Sequence, residues 1–287
     1  GDRLAFSTDS YVIDPLFFPG GNIGKLAICG TANDVAVSGA IPRYLSCGFI
    51  LEEGLPMETL KAVVTSMAET ARAAGIAIVT GDTKVVQRGA VDKLFINTAG
   101  MGAIPANIHW GAQTLTAGDV LLVSGTLGDH GATILNLREQ LGLDGELVSD
   151  CAVLTPLIQT LRDIPGVKAL RDATRGGVNA VVHEFAAACG CGIELSEAAL
   201  PVKPAVRGVC ELLGLDALNF ANEGKLVIAV ERNAAEQVLA ALHSHPLGKD
   251  AALIGEVVER KGVRLAGLYG VKRTLDLPHA EPLPRIC

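Results

Sequence analysis

Four aspartates stand beside runs of small residues: Asp9 after Ser7-Thr8, Asp34 after Asn33, Asp82 in Gly81-Asp82-Thr83-Lys84, and Asp172 in Asp172-Ala173-Thr174-Arg175-Gly176-Gly177. Carboxylate oxygens suit a hard divalent cation such as Mg²⁺ that carries nucleotide phosphates. Glycines let a backbone approach a phosphate, and bare N–H groups at a helix start favour an anion. Taken singly, each aspartate is more readily a turn or cap residue than a ligand. Lys84 and Arg175 bring positive charge to the same runs, Arg175 as a phosphate clamp. His130, between glycines in Gly125–Gly131, and Glu223, in Ala221-Asn222-Glu223-Gly224-Lys225, are candidate proton movers. Their plainer roles are a helix cap and an ion pair with Lys225. No run has the spacing of a Walker A loop. The remaining reactive group is Cys287, which closes the sequence.

These groups need elements to carry them. Leu4–Thr8 reads as a strand leading into Asp9. A Pro/Gly-rich loop then opens a helix carrying Leu26, Ile28, Val35 and Val37, with Asn33 and Asp34 inside it, a poor choice by propensity. Arg43–Glu52 reads as a strand, and Pro56–Ala74 as an amphipathic helix. Ile76–Thr80 reads as a buried strand ending in a Gly81–Lys84 loop, and Leu94–Ile104 as a further strand. The polar, turn-rich Ile108–Gly118 marks a boundary. Beyond it, strands at Val120–Ser124, Val167–Leu170, Gly192–Leu195, Leu226–Val230 and Ala251–Val258 alternate with helices. The runs 125–131 and 172–177 fall where strands hand over to helices, the usual place for a ligand in an α/β fold. Proline at 278, 282 and 284 predicts an extended arm, outside the core, that carries Cys287.

The 287 residues are 49% apolar, enough for one large domain or two ordinary ones. A net charge of −7 without a basic run argues against nucleic acid. No apolar run reaches the length of a membrane span. Seven cysteines without paired C-x-x-C knuckles fit a reducing, cytoplasmic compartment; Cys189 and Cys191 read as small buried hydrophobes rather than metal ligands. The opening strand, with no starting methionine, suggests that an N-terminal segment precedes it.

The runs Ser7–Ser10, Phe17–Lys25, Gly30–Ala36, Gly81–Val86, Asp172–Gly177 and Ala221–Lys225 resemble the aminoimidazole-ribonucleotide synthetase-like (PurM-like) superfamily of ATP enzymes. With the closing Pro284-Arg285-Ile286-Cys287, the chain is similar within it to the hydrogenase-maturation carbamoyl dehydratases. The resemblance implies a two-domain PurM-like α/β architecture with mixed sheets and a flexible C-terminal tail. Residues 1–107 would be the ATP-binding and dimerisation domain, 108–270 the second domain, and 271–287 the tail. It implies ATP-dependent dehydration of an S-carboxamide on Cys287 to a thiocyanate, supplying cyanide for a [NiFe]-hydrogenase centre. The carbamoyltransferase HypF would load the thiol, the HypC–HypD complex would take the cyanide, and the enzyme would be a homodimer. Catalytic roles would fall to Cys287, Glu223, Lys84 and His130, with Glu223 ahead of His130 as base. Mg²⁺ would be held by Asp9, Asp34 and Asp82. The nucleotide would be bound by these three with Asn33, Thr83, Asp172, Thr174, Arg175, Gly176 and Gly177. Other readings are a superfamily synthetase or kinase acting on a free small molecule, and a scaffold that uses Cys287 without catalysis.

Overall fold

The computed structural model describes residues 3–143, 145–278 and 283–287. The N-terminal part begins with β1 (Arg3–Tyr11), a small hairpin of β2 (Phe17–Phe18) and β3 (Gly21–Asn22), and α1 (Ile23–Ala36). It continues through β4 (Ile41–Glu52), α2 (Met57–Ala73), β5 (Ala77–Val86) and β6 (Leu94–Ile104). The four long strands form one sheet in the order β1-β6-β4-β5. β4 and β5 run parallel, because α2 carries the chain back between them, and the other pairs are antiparallel. The Asn22 side chain caps α1 by accepting from the Gly24 and Lys25 N–H groups. Helix α1 lies against β1, β6 and α2 and is buried on nearly every side, which explains its apolar run.

Burial also resolves the Asn-Asp pair within α1. Asn33 is not on a solvated face. Its amide donates to Ala152 O at 2.9 Å and its carbonyl accepts from Leu154 N at 2.7 Å, tying the first sheet's helix to the second half of the chain.

The C-terminal part comprises β7 (Val120–Val123), α3 (Asp129–Glu139), α4 (Thr155–Gln159), β8 (Val167–Asp172), α5 (Gly177–Cys189) and β9 (Gly192–Ser196). Then come α6 (Pro204–Leu213), β10 (Leu226–Val230), α7 (Ala235–His243), β11 (Ala252–Val258), β12 (Gly262–Ala266) and β13 (Lys272–Thr274). Its strands form a mixed sheet in the order β13-β12-β9-β11-β7-β10-β8. Both faces are covered. Val178, Val181, Val182 and Phe185 of α5 pack on one, and Leu157, Ile158, Val238 and Leu242 of α4 and α7 on the other. That is why β7 and β10 are apolar throughout, as in sheets buried on both sides.

Three expectations change. The run Gly81–Lys84 is not a loop: it lies within β5, where Gly81 pairs with Cys47 and a Cβ would come within 2.4 Å of the Cys47 carbonyl. The register slips between Leu45 and Ser46, so this glycine serves a close strand approach rather than a turn. Strands β12 and β13 were not foreseen, and the stretch from 271 begins as sheet. Finally, the chain end is not held outside the core. Leu283, Ile286 and Cys287 pack into the same apolar cluster as Phe18, Ile134 and Phe220. Pro282 lies outside the described residues.

Candidate active site

A cavity of about 320 Å³ opens where the two halves meet. β1 supplies Thr8 and Asp9, α1 Gly30 and Asp34, β8 Arg171 and Asp172, the turn after it Thr174 and Arg175, α5 Glu184, and the loop before β10 Glu223. Cys287 closes the wall. Its sulfur lies 3.7 Å from Arg175 Nη2, and the residue is 7% exposed.

Electrostatically the cavity is strained by its carboxyls. Burial pushes Asp9 up, and the nearby Asp34 adds to it. Asp172 rises to about 7, again first through burial and then through Asp34. Arg171 offsets part of this. Its Nη1 donates to Asp172 Oδ1 at 2.9 Å and contacts Asp34 Oδ1 at 3.5 Å, and its Nε donates to Glu184 at 3.2 Å. Asp34 also accepts from Ser7 Oγ at 2.8 Å. Glu223 is 2% exposed and lies well above the usual carboxylate range because of burial. Its Oε1 has no hydrogen-bond partner. Burial, then the neighbouring Glu223, pushes the Cys287 thiol up to about 12, while Arg175 pulls it down.

Two elements hold these groups in place. Gly176 caps α5 in the left-handed region, and Gly177 follows at φ +61°, where a Cβ would meet the Leu218 carbonyl at 2.4 Å. The turn therefore packs against 218–220 and brings Thr174 and Arg175 to the cavity. The Glu223 loop is tied by Asp150. That carboxylate accepts from the Glu223 N–H at 3.0 Å, the Gly224 N–H at 3.3 Å and Lys225 Nζ at 3.1 Å. Burial works to raise Asp150, but Lys225 and the Glu223 N–H hold it below the ordinary value. Lys225 thus pairs with Asp150, not with Glu223.

The other expected residues lie elsewhere. Asn33 joins the two halves and does not line the cavity. His130 is fully buried beneath the chain end: Nδ1 contacts Ser149 Oγ at 2.7 Å, and Nε2 contacts the Ile286 carbonyl at 2.8 Å. The N-terminus of α3 is closed, because Gly128 N donates to Asn222 and Asp129 pairs with Lys203. Asp82, Thr83 and Lys84 stand on the exposed β5, with Lys84 paired to Asp82 at 3.0 Å. Within one chain they are not brought to the cavity. Arg171, Asp150 and Arg138, which contacts the chain end, were not singled out from the sequence. Arg171 adjoins Asp172 and could have been taken with it; Asp150 and Arg138 have no local signal.

The donor set fits a hard cation. Asp9, Asp34 and Asp172 line one cavity, where Asp34 adds to the rise at both Asp9 and Asp172, and Glu223 Oε1 is unpartnered. Among the described residues no group of three His, Cys, Asp or Glu side chains is already spaced as a metal site, so such an ion would also need ligands from phosphate or water.

A model of the AIR synthase related protein N-terminal domain matches residues 1–104, and one of the C-terminal domain matches 116–267. The carbamoyl dehydratase HypE of Rhodobacter capsulatus is 50% identical over 290 residues, covering 100% of this chain and 85% of the relative. The solved structure of E. coli HypE is 98% identical with a TM-score of 0.98, covering 100% and 89%. A HypE structure in complex with ATP is 46% identical with a TM-score of 0.96, covering 99% and 87%. One of a HypE–HypF complex is 48% identical with a TM-score of 0.94, covering 97% and 91%. The chain belongs to the HypE carbamoyl dehydratases of hydrogenase maturation, a branch of the AIR synthase related proteins.

Proposed function

We propose that the chain uses ATP to dehydrate an S-carboxamide carried on Cys287, leaving a thiocyanate whose cyanide becomes a ligand of a [NiFe]-hydrogenase centre. The observation that carries this reading is the shared cavity: the Cys287 sulfur beside Arg175, and the buried, unpartnered Oε1 of Glu223. An amide oxygen is a poor leaving group and must first be activated. The oxygen attacks the γ-phosphorus of ATP and ADP departs; two N–H protons are then lost as phosphate leaves and the C≡N bond forms. Arg175 orients the transferring phosphoryl group. Asp172, Thr174 and the start of α5 at Gly176 and Gly177 bind phosphate. Glu223, with its high proton affinity, takes a proton from the amide nitrogen once it is ionised. Mg²⁺ held by Asp9 and Asp34, with Asp172 lining the same cavity, would neutralise phosphate charge.

A relative bound to ATP supports the nucleotide, and a relative bound to HypF supports HypF as carbamoyl donor. The HypC–HypD complex would be the acceptor, in the cytoplasm. We assign 1–107 to an ATP-binding and dimerisation domain, 108–270 to a second domain and 271–287 to the tail. The face of the first sheet turned from α1 exposes Leu4 and Phe6 of β1, Tyr44 of β4 and Met101 of β6, which supports a homodimer. A second copy would bring Asp82, Thr83 and Lys84 to the cavity. The test is mass spectrometry of the carbamoylated C-terminal peptide after incubation with ATP. Loss of one water is expected, and Glu223→Gln should stop it. Phosphorylation of a free small molecule instead, with the tail unchanged, would overturn the reading.

A further inference from the structure

The chain end sits in a groove that grips its backbone. Arg138, in the last turn of α3, donates from Nη1 to the Pro284 carbonyl at 2.7 Å and from Nη2 to the Arg285 carbonyl. Its Nε holds the Asp14 carbonyl at 2.6 Å. The Asp14 N–H reaches the Arg285 carbonyl at 3.4 Å, and the Val12 N–H donates to the Cys287 carbonyl at 2.9 Å. His130 Nε2 meets the Ile286 carbonyl at 2.8 Å, which makes it the donor there. Four consecutive carbonyls, 284 to 287, thus each meet a donor from the body. The chain end answers through Arg285, whose Nε donates to Val12 O at 2.8 Å and Nη1 to Asp92 at 2.9 Å, with the guanidinium 5.8 Å from the Phe95 ring centre.

Arg138 differs from Arg171 of the cavity wall. Arg171 is paired with carboxylates, whereas Arg138 makes no ion pair among the described residues and gives three N–H groups to carbonyls alone. A planar fork can hold three fixed acceptors at once; a lysine ammonium at the end of a flexible stem cannot reproduce that register. The fork also joins the chain end to Asp14, beyond the end of β1, the strand that carries Asp9 into the cavity.

We propose that Arg138 is a positioning residue for the dehydration: it sets the register of the last residues, so that the Cys287 sulfur stands beside Arg175 and Glu223. Because it contacts carbonyls and no tail side chain, it seats the tail whether the sulfur is free or carries a carbamoyl group. The effect on turnover rests on the carrier role proposed for Cys287; the docking itself does not.

The experiment alkylates the full chain with iodoacetamide and reads Cys287 against the half-buried Cys210 by mass spectrometry. Docking protects Cys287, so Arg138→Met should raise the Cys287-to-Cys210 ratio by about tenfold or more, the worth of one lost charge-assisted hydrogen bond. Arg138→Lys should fall between, and Arg285→Met, which removes the tail's own bonds to Val12 and Asp92, should shift the ratio the same way. If Arg138→Met fails to fold, the buried Cys29 and Cys151 become labelled too, and Arg138→Lys decides. An unchanged ratio in the folded variants overturns the proposal. A raised ratio in a protein whose wild type performs no dehydration upholds the docking and overturns the carrier reading instead. With both correct, single-turnover dehydration slows with the rise in the ratio while ATP affinity stays put.

Discussion

At the scale of single residues, burial in the cavity raises the proton affinity of Asp9, Asp172 and Glu223. Desolvation is the largest cause at Asp9, Asp172 and Glu223; Asp34 adds to it at Asp9 and Asp172, and Cys151 and Asp150 add to it at Glu223. A raised proton affinity costs the free protein stability. Asp172 titrates near 7 in the folded chain against an ordinary 3.8, so below pH 4 both states bind the proton and nothing is lost. As pH rises from about 4 to 7, the unfolded chain releases a proton that the folded chain keeps, and stability falls. The span corresponds to about 4 kcal/mol at most, with no further change above it. Chemical denaturation in a chelating buffer should therefore show the wild type losing stability relative to Asp172→Asn across that window. Parallel curves would mean that Asp172 is ionised in the free cavity.

The elements explain what could be read from the sequence and what could not. The turn 172–177 was legible because a charged run between an apolar strand and an apolar helix has few other uses, and Gly176-Gly177 names the helix start. The same reasoning failed at Gly81, where the glycine admits a close strand pairing, a tertiary fact with no local mark. It failed for the tail as well. Prolines predict an extended chain but say nothing about which surface receives it, and the receiving groups, Arg138, His130 and Val12, are scattered along the sequence. Asp150 is hidden for a similar reason, since its partners Glu223, Gly224 and Lys225 lie far along the chain. The legible turn has its own prediction. Gly177→Ala places a methyl against the Leu218 and Phe220 carbonyls, at 2.4 and 2.5 Å, on a backbone at φ +61°. It should cost about 2 kcal/mol or more, read as a lower urea midpoint at unchanged slope, and should weaken ATP binding. Retained stability would show that the turn can move away from 218–220.

At the scale of the molecule, the proposed role of Lys84 depends on a second copy. Within one chain it stands on an exposed edge strand, paired with Asp82, while the cavity draws its charge from Arg171 and Arg175. In the proposed homodimer a second copy would cover edge strand β5 and the apolar outer face of its sheet and would supply the same strand in return. Each cavity would then take Glu223 from one chain and Lys84 from the other. Two variants separate this from a single-chain site. Glu223→Gln and Lys84→Ala should each be inactive alone. If subunits exchange on mixing in equal amounts, half the dimers are mixed, and each mixed dimer holds one cavity with both native residues. About a quarter of wild-type dehydration should return, by the statistics of a twofold assembly. A site built from one chain predicts none, since every cavity would lack either the base or the lysine. Phe6→Glu, placed on the outer face of β1, should abolish the recovery by preventing dimer formation, with the change in mass visible by light scattering.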